Sequence, residues 1–220
     1  MVEVKNYAYN YIVNKYGINV DRQYVIDVPN IGRSQLAELF AELNFTKGAE
    51  IGVEKGSYSE VLCQANPRLN LFCVDPWSAG AYEPGIFGID EEQGGYDQRY
   101  QETVDRLKPY NATIIRKPSL DALNDLEDGS LDFVYIDANH DFPNFINDLH
   151  QWSKKVRIGG IVSGHDFALF SYKKHNHVKR ALTAYARCYR MVPLFIVGAM
   201  EYKKGVLRDK YRSWMWCKDK

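Results

Sequence analysis

Along the chain, short apolar runs alternate with stretches whose apolar residues recur every three or four positions. Residues 49–53, 69–75, 112–116 and 131–137 are compact apolar runs, and the last (Leu-Asp-Phe-Val-Tyr-Ile-Asp) is too apolar for a strand with one wet face. Before the first run, Leu36, Leu39, Phe40 and Leu43 fall on one helical face, with Ser34 expected as the N-cap and Gly48 as the terminator. Residues 57–64 read as the next helix. A stronger stripe, Phe142, Phe145, Ile146, Leu149, Trp152 and Val156, predicts a helix with Pro143 in its first turn. Gly159-Gly160 is expected to turn the chain into a strand at 161–164, and Val178, Leu182, Tyr185 and Tyr189 mark a helix over 178–189. Two further runs, 193–200 and 213–217, have no helix between them and predict a closing hairpin. The alternation implies an α/β fold with a mainly parallel sheet covered on both faces. Residues 1–30 are weakly patterned and predict a short helix or irregular cap.

One stretch breaks the rhythm. Residues 77–98 carry Gly80, Gly85, Gly88, Gly94 and Gly95 with Trp77, Tyr82, Phe87 and Tyr96. A glycine-rich loop after an acidic strand end is placed where a lid over a ligand would sit.

Composition adds little until charge is resolved along the chain. With 220 residues, 45% hydrophobic and 25% charged, the chain has the make-up of one globular domain. No apolar run approaches 18 residues, and the first residues lack a secretory pattern, so no membrane partner and a cytoplasmic location are expected. Cys63, Cys73, Cys188 and Cys217 lack metal-type spacing and read as reduced thiols. The zero net charge divides sharply. Residues 1–153 hold 12 Lys and Arg against 24 Asp and Glu, a net −12, while 154–220 hold 16 against 4, a net +12. The basic third, including Lys173-Lys174-His175-Asn176-His177-Val178-Lys179-Arg180, suits either an anionic small-molecule partner or a solvated face.

Candidate chemistry gathers at strand ends. The first strand leads through Glu50, Gly52, Glu54, Gly56 and Ser57, and the second ends Asp75-Pro76-Trp77. An acid about 20 residues after a glycine loop is placed to hold a ribose through its hydroxyls. The acids Glu50 and Glu54 and the missing third glycine argue against a pyrophosphate, and favour a cationic, amino-acid-like cofactor. Pro118-Ser119-Leu120 follows the third strand. Asp137-Ala138-Asn139-His140 and His165-Asp166 end two later strands, so that two carboxylates and two imidazoles should converge as a metal site or an acid–base site.

Together these motifs resemble the S-adenosylmethionine-dependent methyltransferases. The phrase from Asp132 to Asp137, then Asn139-His140, the Trp152 helix and Gly159-Gly160-Ile161-Val162-Ser163-Gly164-His165-Asp166, resembles the small-molecule O-methyltransferase branch related to the macrocin and catechol enzymes. The resemblance runs from about Arg33 to Phe167. It implies a Rossmann-like, doubly wound, seven-stranded sheet with an antiparallel C-terminal hairpin, and a division into a helical cap (1–46), a cofactor-binding core (47–220) and a lid (77–98). It implies S-adenosylmethionine as cofactor, held by Glu50, Gly52, Gly56, Ser57, Asp75, Pro76, Trp77, Ser119, Leu120 and Asp137, with Ser119 and Leu120 at the adenine. Asp137, His165 and Asp166 match the positions that bind a divalent cation, Mg2+ or Mn2+, in metal-dependent members, although an acid is usual where His165 stands. His140, with Asp137 and His165, is then the expected acid–base set. The activity implied is O-methylation of a small-molecule or sugar hydroxyl; a homodimer is a separate expectation. An NAD-type oxidoreductase, a methyltransferase acting on nucleic acid through the basic third, and a non-catalytic cofactor-binding module are the alternatives.

Overall fold

The computed structural model describes residues 7–20, 24–28, 30–81, 92–169, 176–202, 204–209 and 211–219. In chain order the elements are α1 (Tyr7–Tyr16), β1 (Val25–Val28), α2 (Arg33–Glu42), β2 (Lys47–Ile51), α3 (Ser57–Ala65), β3 (Asn70–Asp75), α4 (Gln93–Leu107), β4 (Ala112–Arg116), α5 (Ser119–Ala122), β5 (Leu131–Ile136), α6 (Phe142–Lys155), β6 (Val156–Gly164), α7 (Val178–Tyr189), β7 (Leu194–Val197) and β8 (Ser213–Cys217). The sheet runs β1-β7-β8-β6-β5-β2-β3-β4. β8 pairs antiparallel with both β6 and β7, and the other pairings are parallel.

This is the expected doubly wound sheet with its antiparallel closing strands, and one strand more. The eighth, β1, comes from the segment read as irregular; four residues alternating exposed and buried carry too little pattern to announce a strand. α4 is the other addition. Gly94 and Gly95 open it, and the glycine count that suggested a loop through residue 98 concealed a helix beginning at Gln93. The centre of the stretch read as a lid, residues 82–91, lies outside the described residues, as do residues 173–175 of the basic run.

Two glycine readings change. Gly48 does not end α2, where Leu43 is the C-cap and Asn44 takes the left-handed conformation (φ 57°). It lies within β2, where a Cβ would stand 2.2 Å from the Phe133 ring. Phe133 therefore lies flat against bare backbone and stacks on Phe40 at 4.1 Å between centroids. Gly159 and Gly160 do not make a turn but lie within β6, beside a register shift against β5. The helix signals divide: Ser34 lies inside α2, whose N-cap is Gly32, whereas Pro143 falls in the first turn of α6 as expected, next to the cap that Asp141 Oδ1 makes by accepting from the Asn144 amide at 2.9 Å.

Strand residues alternate between two cores. Leu71, Cys73, Phe133, Tyr135 and Phe195 face one side with Leu36, Leu39 and Phe40 of α2. Val74, Val134, Ile136, Val162 and Trp214 face the other with Phe145, Leu149 and Trp152 of α6. The chain passes from β2 to β3 to β4 in one direction, then returns to β5 on the other side of β2. The crevice at such a reversal, outside the carboxyl ends of β2 and β5, is where open α/β sheets hold ligands.

Candidate active site

β2 and β5 pair in parallel with Glu50 opposite Tyr135 and Ile51 opposite Ile136, so Gly52 and Asp137 leave the sheet side by side. Gly52 has φ 88°, and a Cβ there would meet the Asp137 carbonyl oxygen at 2.2 Å and Ala138 Cα at 2.6 Å. Only glycine fits where the two strand ends touch. Gly56, with φ 71°, is the N-cap of α3, and Ser57 opens that helix toward the crevice.

The crevice contains a cavity of about 340 Å³ walled by Arg33, Glu50, Gly52, Ser57, Asp75, Trp77, Asp137 and His140 among others. Glu50 is 1% exposed and accepts a hydrogen bond from Ser59 Oγ. Burial lifts its pKa to about 8, against the pull of Arg33 and Ser59. Asp75 serves the loop as well as the cavity. Its Oδ2 accepts from the Val53 and Glu54 amides, each at 3.0 Å, and its Oδ1 from the Trp77 amide at 2.8 Å. Burial raises its pKa and those three N–H groups oppose the rise. Trp77 is buried, with its indole N–H donating to the Glu54 carbonyl at 2.7 Å, so it is packed into the wall.

Pro76, Ser119 and Leu120 line a second cavity of about 320 Å³, which shares Gly52 and Ala138 with the first. Ser119 is tied down within it: Oγ accepts from Trp152 Nε1 at 2.8 Å and donates to the buried carboxyl of Asp148. Apart from Gly56, the residues expected to hold the cofactor therefore flank two adjoining cavities on one sheet edge.

On the other side of Asp137 lies the reactive cluster. His140 Nε2 stands 3.0 Å from Asp166 Oδ2 and 3.7 Å from Asp137 Oδ1. His165 Nδ1 stands 3.3 Å from Asp166 Oδ2 and 3.8 Å from Asp137 Oδ1, and its Nε2 faces Asp209 Oδ1 at 3.4 Å. Burial disfavours both imidazolium ions, but the carboxylates outweigh it and hold His140 at about 10 and His165 at about 9. Asp166, buried between them, is nevertheless kept ionised far below the usual carboxylate range by the two imidazoles. His140 thus stands protonated at neutral pH, which runs against its expected role as a free base.

Among the described residues, one group places three ligand atoms within 4.8 Å of one another: Asp137, His140 and Asp166. His140 takes the position in this set that His165 was expected to hold. Two carboxylates and an imidazole on such a triangle suit a divalent cation, manganese or another transition ion better than magnesium.

Several wall residues escaped the sequence reading. Arg33 Nη2 donates to Asp137 Oδ2 at 2.8 Å, and its guanidinium lies 4.0 Å from the Tyr58 ring centroid. A cation in the first turn of a helix opposes the dipole, which was the available signal. Tyr58 and Arg99 gave none, nor did Asp209 beside His165, whereas Tyr96 was read only as one of the aromatics of the lid stretch. His177, from the basic run, accepts from the Phe142 amide through Nδ1 at 3.0 Å and donates its own amide to the His140 carbonyl at 2.8 Å. It joins α6 and α7 behind the cluster.

A family model described as a methyltransferase domain matches residues 49–167. A curated relative, the uncharacterized protein y4gI of Sinorhizobium fredii, is 28% identical over 127 residues, covering 53% of this chain and 12% of its own length. The chain thus spans only a small part of that relative. Among solved structures, the O-methyltransferase TomG from Streptomyces achromogenes, in complex with SAM, superposes with a TM-score of 0.59 at 16% identity, over 97% of this chain and 91% of its own. The O-methyltransferase from Bacillus cereus, in complex with SAH, gives 0.59 at 13% identity over 99% and 94%. Cofactor-bound Rv0187 from MTB gives 0.54 at 16% identity over 86% and 80%. At these identities the likeness is one of fold.

Proposed function

The chain belongs to the methyltransferase-domain family, and on that premise we propose that it transfers the methyl group of S-adenosylmethionine to a hydroxyl of a small molecule. The observation that carries this reading is the meeting, at Asp137, of an acid-lined cavity and a cluster of carboxylates and imidazoles. That TomG and the Bacillus cereus enzyme, seen with SAM and SAH, share the fold supports it.

The donor, when bound, supplies a methyl group on a sulfonium sulfur, an electrophile that needs no protein nucleophile. The protein's part is to place donor and acceptor in line at near-attack distance. Asp75 offers oxygens to the ribose while holding the 53–54 loop and Trp77 in place. Ser119 and Leu120 flank the adjoining cavity, which suits the adenine. Glu50 faces the amino-acid half, where an ammonium would favour its ionised form.

At the acceptor end, the hydroxyl is received by the carboxylates of Asp137 and Asp166, and one of them takes its proton as the oxygen–methyl bond forms. The His140 imidazolium, 3.0 Å from Asp166 Oδ2 and 3.7 Å from Asp137 Oδ1, holds the two carboxylates in place. The same three residues would hold a divalent cation, which would polarise the acceptor oxygen. The test is transfer of labelled methyl from S-adenosylmethionine to a panel of catechols, sugars and nucleotide-linked sugars, with Mn2+, Mg2+ or chelator. His140→Ala should bind donor as wild type does and lose transfer at least about a hundredfold, because the imidazolium that positions the proton-accepting carboxylates is gone. Undiminished transfer in that variant would refute the assignment of the cluster.

A further inference from the structure

Arg33 stands in an unusual position. It opens α2 at the carboxyl edge of the sheet and forms part of the wall that also holds Glu50, Gly52, Asp75 and His140. Its guanidinium is fixed in plane by two rings, at 4.0 Å from the Tyr58 centroid and 5.1 Å from that of Tyr135. One edge is engaged, with Nη2 donating to Asp137 Oδ2 at 2.8 Å. Elsewhere on the fork, Nε is buried with no hydrogen-bond partner. A buried N–H on a charged group that meets no acceptor calls for an explanation, and an unfilled ligand site is one.

From this geometry we propose that Arg33 is the receptor for the carboxylate of the donor's amino-acid half. The inference rests on the methyl-transfer reading and deepens it by naming the group that recognises that half. A planar guanidinium matches a carboxylate with two parallel N–H···O bonds, which an ammonium does not reproduce. Stacking on Tyr58 leaves the plane of the fork fixed before any ligand arrives. The acid nearest to it after Asp137 is Glu50, with Oε1 at 3.9 Å from Nη2. That separation is longer than a hydrogen bond, so Glu50 does not occupy the fork. Lys55 and Arg99 also line this cavity. Lys55 is half exposed and faces Glu102 at 3.5 Å, and Arg99 lies over the Tyr96 ring at 5.7 Å. Arg33 brings to this wall a planar guanidinium with a buried N–H left over.

A carboxylate on the acceptor would suit the same fork, and the experiment separates the two sources. Dissociation constants are measured by calorimetry for S-adenosylhomocysteine and for its decarboxylated analogue, S-adenosyl-3-thiopropylamine, which keeps the amine and the adenosine. The proteins are wild type, Arg33→Lys, Arg33→Gln and Arg33→Ala, each checked for folding by circular dichroism. Wild type should prefer the carboxylate-bearing ligand by roughly 10–100-fold, the range of a charge-assisted pair. That preference should shrink in Arg33→Lys and approach one in Arg33→Gln and Arg33→Ala.

A merely structural Arg33 would weaken both ligands alike and leave the ratio intact, which overturns the proposal. Equal affinity of wild type for the two ligands overturns it too, and assigns the fork to another anion. If wild type binds neither adenosyl ligand, the methyl-transfer reading falls, and this inference falls with it.

Discussion

Asp148→Asn removes a charge that the fold resists. The Asp148 carboxyl is 4% exposed on the inner face of α6, where Ser119 Oγ donates to it and Trp152 Nε1 in turn donates to Ser119. Burial lifts its pKa from 3.8 to about 7; the Ser119 bond opposes the rise and the charge of Asp141 adds to it. Between those two values the folded protein keeps the proton while the unfolded chain has released it. The native state therefore binds more protons, and stability falls as pH rises through the window. Below 3.8 both states are protonated and the contribution is fully present; above about 7 both are ionised and it is lost. At 1.36 kcal/mol per pH unit the interval amounts to an upper bound of about 4 kcal/mol.

Asparagine keeps an oxygen to accept from Ser119 and cannot ionise. Urea unfolding at a series of pH values gives both stabilities by linear extrapolation. Relative to wild type, the variant should gain about 2–4 kcal/mol on going from pH 4 to pH 8, and nothing further outside that range. Glu50 and Asp75, the other buried acids with raised pKa values, are present in both proteins and cancel in the difference. A difference flat across the window would refute the claim that burial governs this carboxyl.

Three further outcomes follow from the geometry. Gly52→Ala places a methyl 2.2 Å from the Asp137 carbonyl at φ 88°, so it should cost roughly 2–4 kcal/mol in thermal unfolding and abolish binding of adenosyl ligands; a wild-type Tm would contradict the contact. Asp75→Ala strips three backbone amides of their acceptor and should lose about 2–4 kcal/mol of stability along with ligand affinity, so calorimetry on it needs a parallel unfolding curve. If Asp137, His140 and Asp166 hold a cation, Asp166→Asn should weaken Mn2+ binding, followed by electron paramagnetic resonance, at least about tenfold; unchanged Mn2+ affinity would exclude that triangle.

The sheet was legible because its strands are nearly continuous apolar runs and its helices carry single stripes, as in Leu131–Ile136 and α6. The acids and glycines at strand ends could be read in register for the same reason: a parallel sheet sends every such end to one edge. Where pattern was weak the reading failed. β1 is four residues long, and α4 opens on two glycines that mimic a loop. The site was legible in its residue types but not in their partners. Asp75 was seen as a ribose acceptor and not as the anchor of three backbone amides, and His140 as a base and not as an imidazole kept protonated by two carboxylates. Arg33 and Asp209 reach the cluster across 104 and 44 residues of chain, a distance that local pattern does not span.

The central claim is that the crevice between β2 and β5 takes an adenosyl donor with an amino-acid half. Calorimetric titration of the protein with S-adenosylmethionine and S-adenosylhomocysteine, with NADH as the control, tests it most directly. Glu50, Glu54 and Asp75 around the cavity should admit the cationic donor and repel a pyrophosphate, so both adenosyl ligands should bind and NADH should give no heat. Binding of NADH with no uptake of either adenosyl ligand would contradict the account.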